Sequence, residues 1–218
     1  MPHVSSYVVR VWLPDRPGAL GQVASRIGAV RGDVVGIEIL ERGGGSAIDE
    51  LVVSLPDEVT RELLLAEIAQ VDGVAVENVR PIDPDRPDAG MLALQITALL
   101  VETDNASRLD VFCEWLQYLV DGTWAMAMRT DDGTTLVERG TPPDTNWLAA
   151  FFAGSRHIST TGFGACAPGD VVWVHLEKAG ISIAAGRDDR PFHTRERTQV
   201  GLLGRVIDGL LAAPVDSA

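Results

Sequence analysis

The chain has 218 residues, 46% of them hydrophobic, which suffices for one large or two small packed domains. Lys and Arg number 18 against 31 Asp and Glu, a formal net charge of -13, so the field of the whole protein opposes nucleic acid and anionic membrane surfaces. The opening Met1-Pro2-His3-Val4-Ser5-Ser6 lacks the basic patch and long apolar core of a signal peptide, and no apolar run reaches membrane-spanning length, so a cytoplasmic protein is expected.

Tyr7 to Trp12 alternates in hydrophobicity, with Val8, Val9, Val11 and Leu13 in an opening strand. It runs into Leu13-Pro14-Asp15-Arg16-Pro17-Gly18-Ala19-Leu20-Gly21, a tight turn leading to a helix. Pro17 suits a first helical turn, Gly18 lets another molecule approach the backbone, and the first helical N–H groups lack intrahelical partners. Such a turn suits a small anion or zwitterion. Leu20, Val23, Ile27 and Val30 recur at helical spacing, and Gly32 is placed as the stop before Asp33.

Val34 to Leu40 reads as a second strand, with Val35, Ile37 and Ile39 on one face. Arg42-Gly43-Gly44-Gly45-Ser46 reads as a flexible connection, and Asp49 to Leu55 as a third strand. Leu63, Leu64, Ile68 and Val71 mark the inward stripe of a second helix, and Val74 to Val79 a fourth strand. Both helices are expected on one face of a mixed four-stranded sheet whose free edges can pair with another copy.

The loop from Asp15 to Gly21, together with this element order, resembles the ACT domain, a ferredoxin-like βαββαβ regulatory module that usually binds amino acids. The resemblance implies that two units pair and that ligand sits between the first loop of one and the second strand of the other. The matching positions are Asp15, Arg16, Pro17, Gly18, Ala19, Leu20 and Gly21 on one side and Asp33, Val34, Val35 and Ile37 on the other. Many amino-acid-binding members carry a side-chain amide where this chain has Asp15, and another where Val34 stands. Asp15 is left to accept from a ligand ammonium, with backbone N–H groups near Ala19 and Leu20 for its carboxylate. Equally, Asp15 fits a helix cap or Asx turn, Arg16 a solvated charge, and Val34 and Ile37 core or dimer packing.

Prolines and charges replace periodic apolar residues from Pro81 to Gly90, which divides the chain into 1–82, a linker at 83–90, and 91–218. Met91 to Val101 and Ser107 to Leu119 read as helices, or as one helix broken near Asp104-Asn105. Trp124 to Arg129 and Thr134 to Arg139 form a hairpin around Asp131-Asp132-Gly133. Thr145 to Phe152 reads as a helix, Asp170 to Leu176 and Ile181 to Ala185 as strands, and Glu196 to Leu211 as a closing helix. This order resembles a GAF domain, a small-molecule sensor with a central antiparallel sheet. Its closing pattern matches Asp188-Asp189-Arg190, Phe192 and Arg195-Glu196-Arg197. The expected class is therefore α+β in both halves.

His157, Cys166, His175 and His193 are too irregularly spaced for a zinc module, and Gly162-Phe163-Gly164-Ala165 lacks the rest of a phosphate fingerprint, so neither metal nor cofactor is expected. Cys113 and Cys166 have no CxxC spacing and are expected to be reduced packing residues. Trp124, Trp147, Phe151, Phe152, Phe163 and Trp173 either line an apolar pocket or pack a core. The leading expectation is an amino-acid-sensing, homodimeric regulatory protein without catalysis. The alternative is an assembly protein using the first unit only to dimerise, and a third is an enzyme combining His157, His175 and Cys166.

Overall fold

Val4–Pro14 form β1, longer at both ends than the alternation of Tyr7 to Trp12 implies. The computed structural model describes residues 4–56, 59–156 and 169–213, and it divides into two units, Met1–Asp88 and Ala89–Ala218. In the first unit β1 is followed by α1 (Ala19–Ala29), β2 (Asp33–Gly43), β3 (Ser46–Pro56), α2 (Arg61–Ile68) and β4 (Ala75–Pro81). The strand order is β2-β3-β1-β4 and every pairing is antiparallel, not mixed as expected. β1 and β2 do run parallel, as a helical crossover requires, but β3 lies between them and takes the hydrogen bonds of both.

Val9, Val11 and Leu13 of β1 share one sheet face with Leu51, Val53 and Leu55 of β3. Ala19, Val23 and Ile27 of α1 and Leu64 and Ile68 of α2 pack onto it. Complete burial of Ile27 and Ile68 is worth roughly 1.5–3 kcal/mol each. The helical stripes are narrower than expected. Leu63 is 45% exposed because it stands a quarter turn away from Leu64 and Ile68, and Leu20 and Val30 are half-buried. The positive φ at the end of α1 falls on Arg31 (φ 61), not Gly32. Arg31 N–H donates to Gly28 O and Gly32 N–H to Ile27 O, a Schellman stop one residue earlier than expected. Gly32 is needed instead for space, since a Cβ there would lie 2.8 Å from Ile27 Cγ2 and 2.9 Å from Leu55 Cδ2.

The glycines after Arg42 form a tight hairpin rather than a flexible connection. Gly43 pairs with Ser46, leaving Gly44 (φ 62) and Gly45 (φ 82) as a two-residue loop of the type I′ kind. The register of β2 slips at two points, between Val34 and Gly36 and between Ile39 and Glu41. Val35 is the extra residue of the first slip. Ile37 and Ile39, opposite Leu51 and Asp49, therefore share a side with Val34 rather than simply with Val35.

The second unit contains α3 (Ala89–Glu102), α4 (Arg108–Leu119), β5 (Trp124–Arg129), β6 (Thr135–Gly140), α5 (Thr145–Ser155), β7 (Val171–Leu176), β8 (Ile181–Gly186) and α6 (Thr194–Ala212). α3 takes in Ala89 and Gly90, which the composition had placed in the linker. Asp104 ends the helical run by accepting from the N–H groups of Ala106 and Ser107. The antiparallel sheet of this unit is ordered β6-β5-β8-β7, and its strands β5, β8 and β7 are buried on both faces while β6 is largely exposed. Ala125, Ala127, Val172, Val174, Ile183 and Ala185 join residues of α3, α4 and α6, while Trp124, Met126, Met128, Trp173 and Ala184 join Leu148 and Phe152 of α5. The aromatics are thus core: Phe151 stacks on Trp147 at 5.4 Å and meets Trp173 edge-on at 4.9 Å, with only Trp147 exposed. Phe163 lies outside the described residues.

The Arg-rich closing pattern is a scaffold. Buried Arg187 donates to the carbonyls of Val120, Arg190 and Pro191 and pairs with Glu196 at 2.7 Å. Buried Arg197 donates to the carbonyls of Phe192 and Val171. These bonds fix the irregular chain that precedes α6. Among the described residues no helix is long and apolar enough to cross a membrane.

Candidate ligand-binding site

The turn between β1 and α1 is built by Gly18, whose φ of 87 makes it the N-cap of α1, with no side chain capping the first-turn amides. Pro17 therefore precedes the cap and does not begin the helix. The N–H of Ala19 donates to Arg16 O at 3.3 Å, closing the turn. A Cβ at Gly18 would meet nothing within 4 Å, so the backbone here faces open space. The loop is anchored on its other side by the β2–β3 hairpin, where Asp15 N–H donates to Gly45 O at 2.9 Å. The Asp15 carboxylate does not cap the helix. It lies 3.9 Å from the Arg42 guanidinium, both partly exposed, a pair worth little in stability. Arg16, Pro17, Gly18 and Gly21 are exposed, Leu20 is half-buried, and Ala19 is buried in the core.

The second half of the expected site lies elsewhere in the same copy. Asp33 pairs with Ser54 of β3, whereas Pro14, at the mouth of the loop, pairs with Ser46. Those registers are eight positions apart on β3, roughly 26 Å at about 3.3 Å per residue. Val35 and Ile37 are 60% and 52% exposed on the edge strand, and Val34 is half-buried against the core. One chain therefore does not bring Asp15 to Gly21 together with Asp33 to Ile37.

Two residues near the loop went unnoticed as site candidates in the sequence. Arg42, at the end of β2, faces Asp15. Asp49 sits opposite Val11 and Ile39 on the helix side of the sheet, 3% exposed, and its Oδ1 accepts no hydrogen bond. Burial pushes the Asp49 carboxyl above its ordinary value, with Arg42 opposing this and Asp15 adding to it. The available signal was parity: Ala47, Asp49, Leu51, Val53 and Leu55 occupy one side of β3, and an acid among them is out of place.

In the second unit a cleft of about 590 Å³ is lined by Arg129, Arg156, His175, Glu177 and Ile181, among others. His175 Nδ1 lies 2.8 Å from Ser182 Oγ and Nε2 lies 3.2 Å from Ser155 Oγ, and both serines are buried. Burial holds the imidazole below its ordinary pKa, in the neutral form at pH 7. His157 and Cys166 lie outside the described residues, as does the Gly162 to Ala165 stretch. His193 precedes α6, where its backbone N–H donates to Glu196 Oε2 at 2.9 Å. Cys113 is buried, and desolvation pushes its thiol up to about 12. Among the described residues no three His, Cys, Asp or Glu side chains are grouped to hold a metal.

No curated protein matches the chain. Among solved structures, a protein of unknown function from Galdieria sulphuraria is 17% identical over 44% of this chain and 65% of its own, with a TM-score of 0.32. The matched region thus spans less than two thirds of that relative. The C-terminal domain of the MgtC protein from Mycobacterium tuberculosis is 18% identical over 39% of this chain and 95% of that one, TM-score 0.32. A formyltetrahydrofolate deformylase from Pseudomonas putida is 16% identical over 41% and 36%, TM-score 0.30. Likenesses of this size say nothing about activity. The ACT domain family model matches residues 7–73, the stretch that runs from β1 through α2 and contains the Gly18 turn, so the first unit of this chain is an ACT domain, a regulatory ligand-binding module.

Proposed function

We propose that the protein is a cytoplasmic, non-catalytic sensor in which two copies pair through their ACT units and bind a free amino acid between the Asp15–Gly21 loop of one and the Asp33–Ile37 segment of the other. The observation that supports this is the separation of those two segments in one copy, combined with an edge strand, β2, that exposes Val35, Ile37 and Ile39. An exposed apolar edge of this length is a template for another strand. Antiparallel pairing of β2 with its equivalent about a twofold axis near Glu38 would bring residues 33–37 of the second copy to the end of β2 where the loop lies. The first-turn amides of α1 suit the ligand carboxylate in place of the missing side-chain amides. The second unit, whose element order resembles a GAF domain, would respond through two conformations with different ligand affinity.

Light scattering and a thermal-shift screen of the full chain against the twenty common amino acids test the reading together. A dimer stabilised by about 2 °C or more by one amino acid is expected, roughly the effect of ligand well above its dissociation constant. Gly18→Asp, which places a charged side chain on a left-handed backbone position facing the site, should abolish that shift. A monomer at micromolar concentration with no shift overturns the proposal. A dimer with no shift favours the assembly reading, which Asp15 and Val34 in place of amides support. A shift that survives Gly18→Asp moves the ligand to the second unit.

A further inference from the structure

Asp49 is an unusual residue to find where it is. Its ladder partners are Val11 on β1 and Ile39 on β2, so its side chain shares the helix side of the sheet with the core. It is 3% exposed, and among the described residues Oδ1 has no hydrogen-bond partner. A buried carboxylate oxygen without a donor costs free energy that a folded chain ordinarily recovers through a hydrogen bond. The charged groups acting on it are Arg42, on the end of β2, and Asp15, in the loop; these two face each other at 3.9 Å. Asp15 is thus already opposed by a cation and partly open to water. Asp49 is neither.

We propose that Asp49, a buried carboxylate on the helix side of β3, accepts the ammonium group of the ligand and makes the ACT site selective for free α-amino acids over analogues that lack the amine. This rests on the reading that the loop binds an amino acid, and it assigns to Asp49 the role that the sequence pattern leaves to Asp15. The division of labour follows from the local chemistry. The uncapped amides of α1 attract a carboxylate and the Asp49 carboxylate attracts an ammonium, so the two ends of a zwitterion meet groups of opposite character. Burial that disfavours a lone charge on Asp49 favours an ion pair once a cation arrives. Any proton that Asp49 holds before binding is released to solvent as the ammonium docks. An analogue with a hydroxyl in place of the amine brings no positive charge to the buried carboxylate.

The test uses the full chain and calorimetric titration with the common amino acids and the 2-hydroxy acids that carry the same side chains. In wild type, an amino acid is expected to bind and its hydroxy analogue to bind about tenfold or more weakly. Asp49→Asn should remove about tenfold or more of the amino-acid affinity and erase the discrimination, while Asp15→Asn changes the affinity by less than about threefold. A measurement that needs no variant runs in parallel: wild-type affinity should fall as pH is lowered from neutral, at higher pH than ordinary carboxylates titrate, with proton release on binding over the range in which it falls. If an amino acid binds but Asp49→Asn leaves both affinity and discrimination unchanged, or if affinity is flat as pH is lowered from neutral, the assignment to Asp49 is overturned and the amino-acid reading stands. If no amino acid binds wild type, both fall.

Discussion

Replacing Glu50 by Gln probes the charged cluster that ties together the face of the ACT sheet opposite the helices. Glu50, on β3, accepts from Arg10 of β1 and from Arg80 of β4, with Oε1 2.8 Å from Arg10 Nη2 and 2.9 Å from Arg80 Nη1, and Arg10 also lies 3.5 Å from Glu77. Burial pushes the Glu50 carboxyl up, but the guanidinium groups of Arg80 and Arg10 more than offset this and lower it from 4.5 to about 2. At roughly 1.4 kcal/mol for each tenfold change in proton affinity, that difference corresponds to about 3 kcal/mol of stability at pH 7. The pKa is depressed on folding, so the contribution is complete above the unfolded value and disappears as pH falls toward the folded one. At pH 3 about 1 kcal/mol of it should remain. Glu50→Gln also removes a negative charge from beside Arg10, which is fully buried. Urea unfolding followed by circular dichroism should show a loss of about 3 kcal/mol at pH 7 that shrinks markedly at pH 3. Hydrogen exchange of peptides from β1 and β3 would assign that transition to the first unit. A loss below about 1 kcal/mol at pH 7, or one independent of pH, would refute the reasoning.

Asp49→Asn should behave in the opposite sense. The Asp49 carboxyl is raised on folding, so its unfavourable contribution is absent below pH 3.8 and grows as pH rises through the folded value. The variant should match wild type in melting temperature at pH 3 and exceed it at pH 7. Gly32→Ala should destabilise by about 1–3 kcal/mol because Ile27 and Leu55 occupy the space, whereas Gly18→Ala should cost only about 1 kcal/mol, through backbone strain without a clash; chemical denaturation separates the two. Gly204→Ala should destabilise the second unit, since a Cβ there would fall inside the Val174 side chain and push α6 off β7; its melting transition should drop while that of the first unit stays. Cys113 should resist iodoacetamide in the native protein and react after denaturation, as mass spectrometry would record.

The order of elements was legible because each carries its own period. Val9, Val11 and Leu13 alternate, Val23 and Ile27 recur at four, and both continue into a single core. Less legible were features set by neighbours rather than by the segment itself. Nothing local says that β3 will insert between β1 and β2, and the pairing of Gly43 with Ser46 decides that two glycines form a tight turn. The burial of Arg187 and Arg197 depends on carbonyls contributed by distant residues such as Val120 and Val171, a kind of partner that carries no sequence signature.

The candidate site divides along the same line. The Gly18 turn is local chemistry, a positive φ and uncapped amides, and it was readable from Asp15 to Gly21. What completes the turn is a matter of which strands lie beside it. Asp15 draws Arg42 and the hairpin tip because β2 and β3 end there, and Asp49 comes within range because its register on β3 places it opposite Val11. The Asp33 to Ile37 segment, by contrast, is held about 26 Å of strand away by that same register. A sequence pattern inherited from a paired module names both segments at once, but a single copy supplies only one of them at the loop. The exposure of Ile37 on the edge strand is what that arrangement leaves behind. A polar substitution such as Ile37→Lys should therefore weaken self-association and amino-acid binding together while leaving the fold intact. If it weakens neither, the edge of β2 is not where a second copy docks.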